Sequence, residues 1–184
     1  MAVKITYFVH GTTFDNQKHI ATGWLPGELS PKGIDRAKAL REVINIQDFD
    51  VVISSDLNRA VQSVNYVFEN DLEHITDNRL RECNYGDLNG CDNSLVNYEE
   101  HINEPFPNGE SMQDIEKRIK EFLEFLLENY DGKHVAIMAH KAPQLAIEVL
   151  INGKTWENAI ETDWRKTNDW KPGWNYILED KLWK

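Results

Sequence analysis

The sequence predicts an α/β protein whose mostly parallel sheet carries helices on both faces. Two observations predict it. Short apolar runs rich in β-branched and aromatic residues alternate with segments whose apolar residues recur at helical spacing. Right-handed crossovers between parallel strands then place those helices on both faces. At 184 residues, with 41% hydrophobic and 28% charged residues, the chain suits one well-packed domain over residues 1–184.

The elements follow in order. Val3 to Val9 reads as a buried strand that ends at His10-Gly11. Ser30-Pro31-Lys32-Gly33 opens a helix carrying Ile34, Ala37, Leu40, Val43 and Ile44, with serine as cap and proline in the first turn. Phe49 to Ser55 is a second strand, and Ser55 or Asp56 is expected to cap the helix that holds Leu57, Ala60, Val61, Val64 and Val67. A short third strand at His74-Ile75 runs towards Arg79-Leu80-Arg81-Glu82. After the loop Pro105 to Gly109, Ser111-Met112-Gln113-Asp114 opens a long amphipathic helix with a capping-box start. His134 to Ala139 is a strand, a helix is expected from Pro143 onward, and Trp174 to Leu178 is a last strand.

The formal net charge of −11 argues against a nucleic acid or an anionic membrane as partner, because the average field repels both. An anionic ligand must be small and held by a local positive cluster. No apolar run approaches the roughly 20 residues that span a bilayer, and no signal peptide is legible, so a cytoplasmic location is expected. Cys83 and Cys91 have neither CxxC spacing nor metal-ligand partners and read as reduced thiols.

In such sheets ligands bind beyond the carboxyl ends of the strands. His10 follows the first strand, Arg59 lies in the first turn after the second, Glu82 follows the third, and His140 ends HVAIMA. Two imidazoles, a guanidinium and a carboxylate at one sheet edge suit phosphoryl transfer. A neutral imidazole can attack phosphorus and hold it covalently, and Arg59 and a protonated His140 can bind the phosphoryl oxygens. Glu82 can protonate the leaving oxygen. The helix beginning near Ala142-Pro143 is expected to aim its free N–H groups at the same anion, and no metal is needed.

These residues resemble the histidine phosphatase superfamily in its phosphoglycerate mutase-like branch. Val9-His10-Gly11-Thr12-Thr13-Phe14-Asp15-Asn16 is similar to that family's Arg-His-Gly-x-Thr-x-x-Asn signature. Gly23-Trp24 with Leu29 to Gly33, then Ser54 to Ala60, Glu82 to Gly86, Asn108 to Ser111 and Ala139-His140 match its later blocks in order. The resemblance implies a three-layer α/β/α sandwich, no cofactor, and a small phosphorylated metabolite as ligand. It implies His10 as the phosphorylated nucleophile, Arg59 and His140 as phosphate ligands, and Glu82 as proton donor. Gly11 is expected to allow close backbone approach at the site, while Asn16, Thr22 and Gly23 match positions lining the phosphate pocket.

One position departs. Where the family has arginine before the nucleophile, this chain has Val9, which donates nothing. Hydrogen bonds to charged groups contribute about 1.5–3 kcal/mol each, so the loss amounts to roughly 10- to 1,000-fold in transition-state binding. Lys141 is the nearest replacement by sequence. The expectation is therefore a phosphatase of small phosphomonoesters. The alternative favoured by Val9 is a phosphate-ligand-binding protein without turnover. A mutase is disfavoured because the segment from Gly90 to Gly109 is short. The loop around Cys91 to Glu104 and the tryptophan-rich stretch from Trp164 to Trp174 are expected to shape the substrate side.

Overall fold

A computed structural model describes residues 2–180. Its sheet contains β1 (Ala2–Val9), β2 (Val51–Ser54), β3 (His74–Thr76), β4 (His134–Ala139) and β5 (Trp174–Glu179) in the order β3-β2-β4-β1-β5. β1, β2, β3 and β4 run parallel, while β5 pairs antiparallel with β1. The helices are α1 (Phe14–Gln17), α2 (Pro31–Val43), α3 (Asn58–Val67), α4 (Met112–Asn129), α5 (Lys141–Asn152), α6 (Trp156–Glu161) and α7 (Trp164–Thr167).

Strand alternation assigns the helices to layers, because successive side chains leave opposite faces of the sheet. Ile5 and Tyr7 of β1, Ile53 of β2 and Ile137 of β4 pack in one apolar cluster with Ile115, Phe122 and Leu126 of α4 and Leu145 of α5. Phe8, Val52, Ala136 and Met138 pack in a second cluster with Ala37 of α2 and Ala60, Val64 and Val67 of α3. The result is the expected three-layer α/β/α sandwich. Fully burying side chains such as Ile119, Phe122 and Leu123 contributes about 1.5–3 kcal/mol each, which is why α4 keeps so strict a stripe.

Local chemistry sets the helix ends. Ser30 caps α2 by accepting from Gly33 N, and Ser111 with Asp114 forms the expected capping box on α4. Two expectations need correction. α3 begins at Asn58, two residues beyond Asp56, with Leu57 at its cap position and no side-chain cap. Ser55 instead accepts from Leu57 N, and Asp56 is committed to a two-pronged contact with Arg81 at 2.8 and 2.6 Å. α5 begins at Lys141, two residues before Pro143. Proline lacks a backbone N–H and fits the first turn, where none is needed, so it marks the turn without fixing its first residue.

The loop after β1 is held by a close backbone approach. A Cβ on Gly33 would stand 2.0 Å from Thr12 O, and one on Gly11 would stand 2.8 Å from Gly33 O. Gly11 is thus small for contact with the first turn of α2. Gly33→Ala is expected to cost about 1–3 kcal/mol of unfolding free energy. It should also shift the loop bearing His10. Urea denaturation measures the first effect, and an unchanged midpoint would show that the contact gives way without strain.

Candidate active site

Strand register brings the two histidines together. Val9 pairs with Ala139 across the parallel β1–β4 ladder, so the next residues, His10 and His140, leave adjacent strands side by side. Their ring centroids lie 4.9 Å apart at an interplanar angle of 58°. β2 lies on the other side of β4, and Arg59 enters the same edge from the first turn of α3. Glu82 arrives after the short helical turn Asn78–Leu80 that follows β3.

His10, Arg59 and Glu82 line one cleft of about 1060 Å³, far larger than a phosphate ion. His140 has no exposed surface and stands enclosed against His10. Neither of its ring nitrogens has a hydrogen-bond partner among the described residues. Its backbone is pinned from β1: Tyr7 Oη donates to His140 O at 2.7 Å and accepts from His140 N at 3.0 Å. Nothing in the sequence marked Tyr7 for this task, since a strand tyrosine reads as core.

His10 Nδ1 lies 2.8 Å from Gly11 O, a carbonyl that only accepts, so Nδ1 carries the proton. Nε2 therefore keeps its lone pair. Burial, followed by the Arg59 charge, lowers the His10 pKa to about 3, so the ring is neutral near pH 7. His140 is likewise held well below the ordinary histidine range, first by burial and then by Arg59 and His10.

Arg59 is buried, with Nη2 donating to Gly23 O at 2.7 Å and Nη1 to Leu25 O at 3.4 Å. Burial lowers its pKa from the usual arginine value, and Glu82 is the largest opposing charge. Gly23 has φ +54°, and a Cβ there would meet Asn89 Oδ1 at 1.8 Å. Only glycine lets this turn present its carbonyl to Arg59.

The structure corrects the expectation that the first N–H groups of α5 face a bound anion. Glu82 already takes them. Oε1 accepts from Ala142 N at 3.0 Å and Cys83 N at 2.8 Å, while Oε2 accepts from Lys141 N at 3.2 Å. A carboxylate at a helix N-terminus satisfies otherwise orphan donors and complements the dipole. The main chain of this loop is braced by Arg118, which donates to Glu82 O and pairs with Glu110 at 2.8 Å. Both Cys83 and Cys91 are free thiols.

The other expected residues also line the cleft, several with structural duties. Asn16 Oδ1 accepts from Thr13 N in the capping box of α1, a four-residue helix too short to show a periodic pattern in the sequence. Thr22 Oγ1 donates to Asp15 at 2.8 Å. Gly11 N donates to Ser63 Oγ, which donates in turn to Arg59 O. Lys141 Nζ lies 3.6 Å from Asp163 and 4.6 Å from the centre of the Tyr98 ring. Asn93, Val96 and Tyr98 from the Cys91 to Glu104 loop and Trp164 and Trp170 from the tryptophan-rich stretch complete the wall. Arg165 stands on it too, and no motif pointed to it. Among the described residues no group of three His, Cys, Asp or Glu side chains is placed to hold a metal ion, and no helix is long and apolar enough to cross a membrane.

The His10 environment fixes a pH dependence of stability. An unfolded histidine takes up a proton near pH 6.5, whereas folded His10 takes one only near pH 3. Between those values the unfolded chain binds the extra proton. The contribution is therefore full above pH 6.5 and is lost as pH falls towards 3. Replacing His10 by glutamine is expected to remove up to about 1.4 kcal/mol per pH unit from the acid slope. Urea midpoints at pH 7 and pH 5 test this, and equal slopes for both proteins would contradict a neutral His10.

Fold and cleft together define an α/β protein with paired imidazoles, a buried guanidinium and a carboxylate at the carboxyl edge of its sheet. The chain belongs to the histidine phosphatase superfamily, branch 1, whose family profile matches residues 7–171. It is 30% identical over 174 residues to a 2,3-bisphosphoglycerate-dependent phosphoglycerate mutase of Allorhizobium ampelinum, covering 84% of this chain and 82% of the relative. The structure resembles an alpha-ribazole phosphatase from Shigella flexneri with a TM-score of 0.73 and 26% identity, covering 88% of this chain and 84% of the other. It has the fold of a mycobacterial glucosyl-3-phosphoglycerate phosphatase, with a TM-score of 0.75, 24% identity, and coverage of 86% and 84%.

Proposed function

We propose that this protein is a metal-independent phosphatase that hydrolyses a small phosphomonoester through a phosphohistidine on His10. The observation that carries the reading is the tautomer of His10: Nδ1 is tied to Gly11 O, which leaves the Nε2 lone pair as nucleophile. Nε2 attacks phosphorus and forms a P–N bond as the P–O bond to the leaving alcohol breaks. Glu82 delivers a proton to that oxygen. Water then attacks phosphorus, its proton passes to Glu82, and the P–N bond breaks to release inorganic phosphate and neutral His10.

Arg59 presents donors to the equatorial oxygens. His140, with two unpartnered buried nitrogens, gains a hydrogen bond as the phosphoryl group settles beside His10. The surplus cleft volume accommodates the alcohol portion, and the net charge of −11 restricts substrates to small anions.

The test is incubation with p-nitrophenyl phosphate and a panel of sugar phosphates, followed by a search for acid-labile phosphate on His10. Release of phosphate with a labelled His10 supports the reading. Labelled His10 with isomerisation of a phosphoglycerate and no phosphate release would replace it with the mutase chemistry named for the Allorhizobium relative. Absence of both label and turnover would leave a phosphate-ligand-binding protein.

A further inference from the structure

Arg165 is held over the cleft by a clamp that its position in the sequence does not suggest. It belongs to α7, whose cap residue Asp163 is almost fully buried and accepts from Arg165 N at 3.2 Å and from Nη1 at 2.9 Å. Gln144 Oε1, on α5, accepts from Arg165 Nη2 at 3.3 Å and from Trp164 Nε1 at 3.1 Å. The guanidinium lies 4.3 Å from the centre of the Trp164 ring, and that ring stacks on Trp174 of β5 at 5.0 Å. Residues from α5, α7 and β5 thus order one arginine. An ordered planar fork loses less side-chain freedom when it binds an anion than a mobile one does.

The clamp leaves the fork usable. A guanidinium has five N–H donors, and two Nη contacts, to Asp163 and Gln144, are made among the described residues. Arg165 shares the cleft wall with His10 and with Val9, which contributes no donor. Its charge also acts on both His10 and His140. Lys141 is differently placed. Its Nζ lies against Asp163 Oδ2, an oxygen with no hydrogen-bond partner among the described residues, and over the Tyr98 ring. One buried carboxylate thus faces two cations, and the more ordered of the two keeps donors for a ligand.

We propose that Arg165 supplies the second guanidinium of the phosphoryl pocket in place of a donor at Val9, with Asp163 as its positioning residue and Lys141 as the cation balancing Asp163. This deepens the phosphatase reading of the same cleft and rests on it. Lys141 is accordingly the weaker of the two replacements.

The experiment measures two things: inhibition of p-nitrophenyl phosphate turnover by inorganic phosphate, and direct calorimetric titration with inorganic phosphate. Each is made on the native protein and on Arg165→Ala, Arg165→Lys, Lys141→Ala, Asp163→Asn, Asp163→Asn/Arg165→Ala, Val9→Arg and Val9→Arg/Arg165→Ala. Circular dichroism and urea unfolding establish that each variant is folded. Arg165→Ala is expected to weaken phosphate binding by about 10- to 100-fold, the worth of one or more charge-assisted hydrogen bonds. Arg165→Lys should fall between it and the native protein and serves in its place if the alanine variant does not fold. Lys141→Ala should change binding less than about threefold, the scale of a partly exposed ion pair. Val9→Arg should recover most of the loss in the Arg165→Ala background. Asp163→Asn should weaken binding in the native background and add nothing once Arg165 is gone, which a purely structural role would not produce.

Native phosphate affinity in folded Arg165→Ala or Arg165→Lys overturns the proposal. So does a larger loss in Lys141→Ala than in Arg165→Ala. If the native protein turns nothing over yet loses phosphate when Arg165 is replaced, the phosphatase reading fails and the assignment of Arg165 stands. If turnover is found and Arg165→Ala leaves it and phosphate affinity unchanged, the reverse holds. Neither turnover nor phosphate binding in the native protein at millimolar phosphate sinks both.

Discussion

His10→Ala is expected to abolish phosphatase turnover, by at least about 10⁴-fold in kcat/KM, while the chain remains folded. No other group is proposed to attack phosphorus, so the loss should reach the background rate for every substrate. The structural cost should be modest. Among the described residues the ring's only hydrogen bond is to the adjacent Gly11 carbonyl, and a partly exposed side chain leaves a small, wettable gap. An unfolding free energy within about 2 kcal/mol of the native protein is expected. Stopped reactions on radiolabelled substrate make the check direct: the native protein should yield an acid-labile labelled histidine and the variant none. His140 lies 4.9 Å away, so a residual label would identify it as a second nucleophile, and His10→Ala/His140→Ala would then remove it.

Glu82→Gln has the second-largest expected effect, and its size should depend on the leaving group. For an alkyl phosphate, whose alkoxide leaves only with a proton, the rate should fall by about 10²- to 10⁴-fold. For p-nitrophenyl phosphate, whose phenolate leaves unprotonated, the fall should be less than about tenfold. Equal losses would remove Glu82 from the role of acid. Its bonding shows why glutamine is a usable probe. The amide oxygen can keep the bonds from Cys83 N and Ala142 N, and only the oxygen facing Lys141 N is replaced by a donor. One backbone donor is then left unpaired, at a cost of about 1–3 kcal/mol, which urea unfolding measures separately from the rate.

Much of the fold was legible because burial writes itself into spacing. The runs around Tyr7, Ile53 and Ile137 are strands because both their faces are covered, and the stripe Ile115, Ile119, Phe122, Leu126 is a helix because one of its faces is. The placement of His10, Arg59 and His140 followed from the same logic, since parallel strands deliver their exits to a common edge. Illegible were features made by contacts between residues distant in the chain. α1 and α7 have four residues each, fewer than a periodic pattern needs, and rest on caps at Thr13 and Asp163. β5 reads like any other short apolar run, and only its pairing with β1 makes it antiparallel.

What the sequence by itself determined was the α/β class, the order of its strands and helices along the chain, and the set of polar side chains at the strand exits. Those depend on local propensity and on which side chains seek the core. Only the tertiary structure decided how each group is used. The N–H groups at the start of α5 went to Glu82, because a buried carboxylate and unpaired helix donors each lower the other's cost. Tyr7 secured the backbone of His140 from 133 residues away. Arg165 reached the cleft because Asp163, Gln144 and Trp164 enclose it there. Each of these is a pairing between groups that burial would otherwise leave unsatisfied, and such pairings exist only once the chain has brought its distant segments into contact.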